Sequence, residues 1–434
     1  MMNSSQQIGK YRWTICALMF FATTINYLDR QVIGILKPTL ESDLGIGEAE
    51  YGYIITAFTI AYAIGLLIAG RLIDWLGTKI GYAISLLGWS LAAIAHALAR
   101  LPFGFGVARA FLGVFEAGNF PAAIKTTAEW FPKKERALAT GIFNSGANIG
   151  AVLAPVLVPL IAIKMGWQWA FILTGAIGLI WLFFWFRYYE IPAKQQRLSK
   201  EEHEYILSDN EVETNNKISW FKLLSYRHTW AFFVGKFLTD PIWWFYLYWI
   251  PGWLAKVQGV EMGNFGRFGL PLAVIYSSTT IGSIFGGWMS SRLIKKGYEI
   301  HKARYWTMLM FAFLIIPIIF IQFGGVGFWG AIAIISLAAA SHQAWSANIF
   351  TTVSDVFPKK AVGSVTGIGG MAGAVGGALI ASFAGNLLAY FEKLGHIQTG
   401  YTVLFSIAGS AYLLAWVIMK LVSPRLKRVE DLDK

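Results

Sequence analysis

Cysteine is nearly absent from this chain of 434 residues: Cys16 is the only one. No intrachain disulfide and no cysteine-based metal site can form, and redox chemistry has no support. Charge is scarce as well, since Asp, Glu, Lys and Arg make up 14% of the residues, against roughly 25% in a soluble domain. The six histidines are scattered. No Ser-His-Asp set, metal-binding histidine cluster or phosphate-cradling glycine loop stands out, so a membrane enzyme is a poor reading.

What fills the chain is apolar: 56% apolar residues, 16% of the total being aromatic. A helix needs about 20 apolar residues to cross a hydrocarbon core of about 30 Å. Such stretches lie near 13–36, 51–73, 79–99, 103–124, 137–163 and 167–189, then near 229–255, 266–291, 304–323, 327–353, 362–390 and 400–422. The fold class expected is an all-α membrane protein with twelve transmembrane helices. The first run is too long for a signal peptide and has no small-residue cleavage site, so it reads as an uncleaved helix.

The chain repeats itself. "FPKK" occurs at Phe131–Lys134 and again at Phe357–Lys360, an offset of 226 residues that also lays Thr140 on Thr366, Gly141 on Gly367, Ile142 on Ile368 and Gly150 on Gly376. Two six-helix repeats follow: 1–189 and 228–434, joined by a polar linker at 190–227. Within the linker, Ser199 to Glu202 has capping-box spacing and predicts a short helix. "ISWFKLLSYR" (Ile218 to Arg227) mixes aromatics with cations, as a helix in the membrane interface does, or packs beneath the bundle. Gly141, Gly146 and Gly150, with Gly367, Gly369, Gly370, Gly373, Gly376 and Gly377, predict close helix approach. Repeated halves suit alternating access, in which they rock about a central site.

The formal charge of +12 carries a topological signal. Of the 36 Lys and Arg, counting those at a span's end with the side they adjoin, six fall on one side of the expected spans (Lys37, Arg100, Lys164, Lys256, Arg267, Lys393) and three deep within spans, leaving 27 for the side holding both termini. Basic residues near helix ends are retained in the cytoplasm, so both termini are expected there. Their dispersal over many short loops gives no nucleic-acid footprint.

Ionisable groups inside spans are costly and mark function. Asp29, Arg30, Arg109, Glu116, Lys236 and Asp240 all fall inside. At 1.5 Å per residue, Asp29 lies about 24 Å along the first span and Arg109 about 9 Å below the outer end of the fourth, at similar depth. Glu116, seven residues on, shares the face of Arg109. A bland reading has Asp29 and Arg30 snorkelling and Arg109–Glu116 as a structural pair. The preferred one is an organic anion held by Arg while an acid takes a proton, since substrate competing for that Arg shifts the acid toward protonation.

The repeat lays His342 on Glu116. His342 is either a core histidine or a cavity group, on a polar stretch with Gln343, Ser346 and Asn348 able to bind hydroxyls. On the seventh span, Pro241 is expected to hinge the helix. Trp249 reads as an interfacial aromatic. Trp244 and Tyr248, an i,i+4 pair, form either part of the same belt or a wall for a sugar ring. Lys236 is either neutralised by Asp240 or meets a second polar end of the substrate.

"GRLIDWLGTK" (Gly70 to Lys79) and its eroded echo "GGWMSSRLIKKG" (Gly286 to Gly297) resemble the loop signature of the major facilitator superfamily. The resemblance implies that Asp74, with Lys79, holds the cytoplasmic side closed, although Trp75 and Thr78 stand where the family usually has further cations. "NYLDRQ" and "RAFLGVFEAGNFPA" resemble the anion:cation symporters within it, and "FLTDPIWWFYLYWIP" and "SHQAW" resemble bacterial hexuronate transporters. This implies Arg30 for the substrate carboxylate, Asp29 and Glu116 for proton coupling, Arg109 as their electrostatic partner, and Tyr62 in the cavity. Some members carry an amide at the position of Ala147, for which Asn144 or Asn148 can substitute.

The expectation is a proton-coupled importer of a sugar acid in the bacterial inner membrane, most simply a hexuronate, working as a monomer in the bilayer without cofactor or metal. Two titratable acids and no cluster of hydroxyl and carbonyl ligands favour H⁺ over Na⁺. The alternatives are a symporter for another organic anion such as an aldonate, and a transporter-like solute sensor. The sensor is expected to carry a long tail, and 12 residues follow Val422.

Overall fold

A computed structural model describes residues 9–208, 219–322 and 325–429. The described residues form helices and connecting turns. In the first half these are α1 (Tyr11–Leu44), α2 (Glu48–Leu76), α3 (Thr78–Ala95), α4 (Pro102–Glu116), α5 (Asn119–Trp130), α6 (Lys133–Met165) and α7 (Trp167–Tyr188). Two short helices, α8 (Lys200–Leu207) and α9 (Trp220–Leu224), lie in the linker. The second half is α10 (Arg227–Lys256), α11 (Gly269–Lys295), α12 (Ile300–Ile315), α13 (Phe328–Val356), α14 (Lys359–Lys393) and α15 (Ile397–Val422).

Among the described residues eight helices are long and apolar enough to cross a membrane, falling in α2, α3, α6, α7, α11, α12, α14 and α15. The other four expected spans correspond to α1, α4 with α5, α10 and α13. These are the helices that carry buried polar groups along their middle, which is why they are less apolar. The fourth expected span is two helices: α4 ends at Glu116, and at Gly118 the N–H turns to the carbonyl three residues back. Pro241 does not interrupt α10, which runs unbroken through it and Pro251.

The internal repeat is written into the backbone. α6 begins at Lys133 after Pro132 (φ −63°, ψ 153°) and α14 at Lys359 after Pro358 (φ −64°, ψ 154°), the same 226-residue step. In each half this helix packs on the first helix of its set through glycine. A Cβ on Gly150 would stand 3.0 Å from the Leu28 nitrogen of α1, and one on Gly376 2.7 Å from Pro241 of α10. Gly146, Gly369, Gly373 and Gly377 are similarly crowded, whereas Gly141, Gly367 and Gly370 have open space beside them.

Of the linker segment Ile218–Arg227, Ile218 lies outside the described residues and α9 occupies Trp220–Leu224, with Phe221 86% exposed. Ser199 caps α8 by accepting the Glu202 N–H at 3.2 Å, as the capping-box spacing predicts. Glu202 then accepts the Tyr11 and Arg12 amides of α1, and Arg12 pairs with both Glu202 and Glu135, so α8 fastens the starts of α1 and α6.

Both described ends of the chain and the linker lie at one end of the bundle, called here the linker end. The halves touch at the far end. Gly52 of α2 meets Gly385 of α14 closely enough that a Cβ on either would stand 2.8 Å from the other's Cα. Tyr51 donates to the Tyr248 carbonyl at 2.9 Å and Tyr53 to Asn386 at 3.0 Å, both across the seam. Toward the linker end, Gly141 and Gly363 are open and Asn144 is exposed.

Candidate functional site

Where the two halves meet in mid-bundle, α1 contributes consecutive charged residues. Arg30 is 4% exposed and its Nε donates to the Glu116 carboxylate of α4 at 2.8 Å. The guanidinium is wrapped in aromatic rings: Tyr27 at 4.7 Å, Tyr62 at 4.8 Å and Phe58 at 5.4 Å from the first half, and Trp244 at 5.6 Å from the second. Such cation–π contacts strengthen when desolvated and hold the planar group in register. Asn26, one turn below, accepts from Arg30 at 3.4 Å.

Arg109 and Glu116 do not form the pair that their shared face suggests. Arg109 instead donates from Nη2 to the Arg30 backbone carbonyl at 2.9 Å and lies over the rings of Phe58 and Tyr248. Its Nε and Nη1 have no hydrogen-bond partner among the described residues. The same holds for Glu116 Oε1 and the Tyr248 hydroxyl, and Asp29 is buried beside them near Thr174 and Arg109. Buried polar atoms are nearly always paired, so this concentration of unmatched donors and acceptors marks a place built for something other than rigidity.

The second half supplies Trp244 and Tyr248, stacked at 5.9 Å and buried, so they form a wall at the seam and not a membrane belt. Trp249 is fully buried against Tyr51 of α2 at 5.4 Å, which corrects its assignment to the interface. Lys236 pairs with Asp240 at 2.7 Å. His342, the repeat counterpart of Glu116, stacks on Trp243 at 5.3 Å, with Nδ1 2.6 Å from the Tyr412 hydroxyl. The Asn348 Nδ2 donates to the Gly286 and Ala344 carbonyls, tying α13 to α11, while its Oδ1 has no hydrogen-bond partner among the described residues. Gln343 and Asn148 are half-buried and Asn144 is exposed. The two asparagines lie on the side of α6 opposite the glycines that pack on α1.

Asp74 pairs with Lys125 at 2.9 Å within the first half, and Lys79 with Glu190, the first residue of the linker, at 2.7 Å. The Lys79 hydrogen bond, with the Ile191 N–H, holds the Glu190 carboxyl below its usual range. Neither pair crosses to the second half in this conformation.

A cluster the sequence reading missed seals the far end. Lys256 at the end of α10 reaches Glu41 of α1, Glu48 of α2 and Glu392 of α14, while Lys37 of α1 pairs with Glu48. Lys37 and Glu48 are each 1% exposed. Counted as loop charges at helix ends, they are buried because the halves close over them.

Two similar sets of helices, with buried charges at the seam and one end shut, fit a membrane transporter. The chain matches the Major Facilitator Superfamily model over residues 19–381 and belongs to that family. It is a multi-pass membrane transporter and not an enzyme. It is 34% identical to the hexuronate transporter of Escherichia coli K12 over 90% of this chain and 93% of that one. It is 37% identical to the galacturonate transporter of Dickeya chrysanthemi over 68% of this chain and 86% of that one. Among solved structures, a bacterial homologue of the human lysosomal transporter Spinster superposes with a TM-score of 0.77 at 16% identity, covering 96% and 98% of the two chains.

Proposed function

We propose that this protein imports a hexuronate, such as glucuronate or galacturonate, together with protons across the bacterial inner membrane. In this reading twelve spans cross the bilayer, 1–189 and 228–434 are the rocking halves, and 190–227 is the cytoplasmic linker. The linker end then faces the cytoplasm, as the excess of Lys and Arg on that side supports. The sealed far end faces outward, and the conformation is inward-facing.

The observation that carries the reading is the Arg30–Glu116 pair at the seam, a guanidinium engaged by a single carboxylate oxygen and faced by rings from both halves. A guanidinium grips a carboxylate best through two parallel bonds, so a substrate carboxylate competes well for Arg30 once Glu116 is neutral. Facing outward, Glu116 takes a proton and releases Arg30 to the sugar acid. Facing inward, the sugar acid leaves, Glu116 gives up its proton, and the ion pair re-forms. Arg109 keeps the site cationic and Asp29 is the second acid. Tyr62, Trp244 and Tyr248 flank the ring, while Asn144, Asn148 and Gln343 offer hydroxyl partners on the open side.

Counterflow of labelled glucuronate and galacturonate in proteoliposomes tests this. Rapid exchange of a hexuronate is expected. Binding without any exchange would favour a sensor, and exchange of an aldonate alone would move the substrate class.

A further inference from the structure

The second charged pair of the seam, Lys236–Asp240, does no visible work in holding the halves together. Both residues lie on α10, one turn apart, with Lys236 Nζ 4.2 Å over the Phe350 ring of α13. Asp240 presses against Gly373 of α14, where any Cβ would strike its carboxylate; the repeat counterpart of this glycine is Ala147. Tyr27 of α1 lies within electrostatic reach of both Arg30 and Asp240. Trp244, the next turn of α10, stands 5.6 Å from the Arg30 guanidinium. Asp240 is thus displaced by about 6 Å along α10 from the level of Arg30. That is also the reach of a six-carbon chain, about 6 Å from first to last carbon with bonds of about 1.5 Å.

We propose that the Lys236–Asp240 pair is a charge filter for the far end of the substrate, admitting the hydroxyl-bearing end of a monocarboxylate and rejecting a six-carbon dicarboxylate. This rests on the reading that Arg30 takes the first carboxylate. Asp240 accepts from sugar hydroxyls and Lys236 donates to them. A second carboxylate meets the Asp240 charge, while the cation that would welcome it is already neutralised. Specificity of this kind comes from a built-in repulsion as much as from attraction.

The test is competition in proteoliposomes, reading the ratio of inhibition constants for galactarate and galacturonate against galacturonate counterflow. The wild-type protein is expected to prefer galacturonate by about tenfold or more. Asp240→Asn, which leaves Lys236 unpaired, is expected to lower that ratio at least about tenfold. Asp240→Glu should keep the preference, and the doubly neutral Asp240→Asn with Lys236→Gln, which loses the repulsion but offers no cation, should gain galactarate less than the single variant. An unchanged ratio in Asp240→Asn overturns the filter, as does an equal shift in the double variant. A wild-type protein that takes galactarate as readily as galacturonate overturns it whatever the variants do. Loss of all galacturonate binding in both the single and the double variant also overturns it, by making the pair a requirement for the site. Failure of the wild-type protein to exchange any hexuronate would instead sink the proposed function itself.

Discussion

The two halves share a scaffold down to the dihedral angles of the prolines that start α6 and α14, yet they differ where chemistry is needed. Glu116 and His342 occupy repeat-equivalent positions. In the first half the acid ends a helix: α4 stops at Glu116, and the carboxylate turns to Arg30 with one oxygen left unmatched. In the second half α13 runs straight through His342, whose Nδ1 meets Tyr412 while its ring stacks on Trp243. One copy therefore keeps a carboxylate in a locally weakened helix, and the other keeps a ring packed within a continuous one. The proposed function puts these differences to use: the repeat supplies the symmetry for rocking, and the proton is carried on the side that keeps the acid.

Breaking the charged side of this comparison should cost most. Arg30→Lys keeps the charge but loses the planar fork, so hexuronate affinity is expected to fall about a hundredfold, measured by equilibrium binding on purified protein. Unchanged affinity would move the substrate carboxylate elsewhere. Glu116→Gln comes next. Accumulation driven by a gradient of one pH unit, about tenfold for one proton per monoanion, should fall to about onefold. Exchange without a gradient should persist in part, because it needs no net proton cycle.

Loosening the far end should have a smaller effect. Lys256→Met removes the cation that contacts Glu41, Glu48 and Glu392. Truncating one partner of a buried charge pair costs about 2–5 kcal/mol, enough to shift the balance between the two open states. Maleimide labelling of a cysteine placed at Thr56, in a Cys16→Ser background, should quicken about fivefold. The smallest change is expected on the other side: His342→Gln should leave pH-driven accumulation within about threefold of wild type. A loss as deep as that of Glu116→Gln would show that the halves share the proton.

The helices and their pairing were legible because period and apolar length are local properties, and because the repeat disclosed which helices correspond. The charged residues of the seam were legible for the reason that buried charge is rare in a membrane span. What stayed hidden was partner choice. Depth along a helix placed Arg109 and Glu116 on one face, but only the crossing of α1 brings Arg30 to Glu116 and leaves Arg109 on a backbone carbonyl. Nothing in the helix of Asn348 reveals that Gly286 of α11 comes close enough to accept from its amide nitrogen, leaving the amide oxygen as the free end. Lys37, Glu48 and Lys256 sit at helix ends, where charge is ordinary, and their burial follows from the closure of one half on the other.

The central claim is that sugar acid and proton are linked through the Arg30–Glu116 pair. Calorimetric titration of galacturonate in buffers of different ionisation enthalpy reads that linkage directly. Binding that releases Glu116 from Arg30 should take up about one proton near neutral pH, with affinity strengthening as pH falls. In Glu116→Gln the uptake should vanish and the pH dependence flatten. Equal proton uptake by the wild-type and Gln proteins, or none in the wild type, would contradict the account.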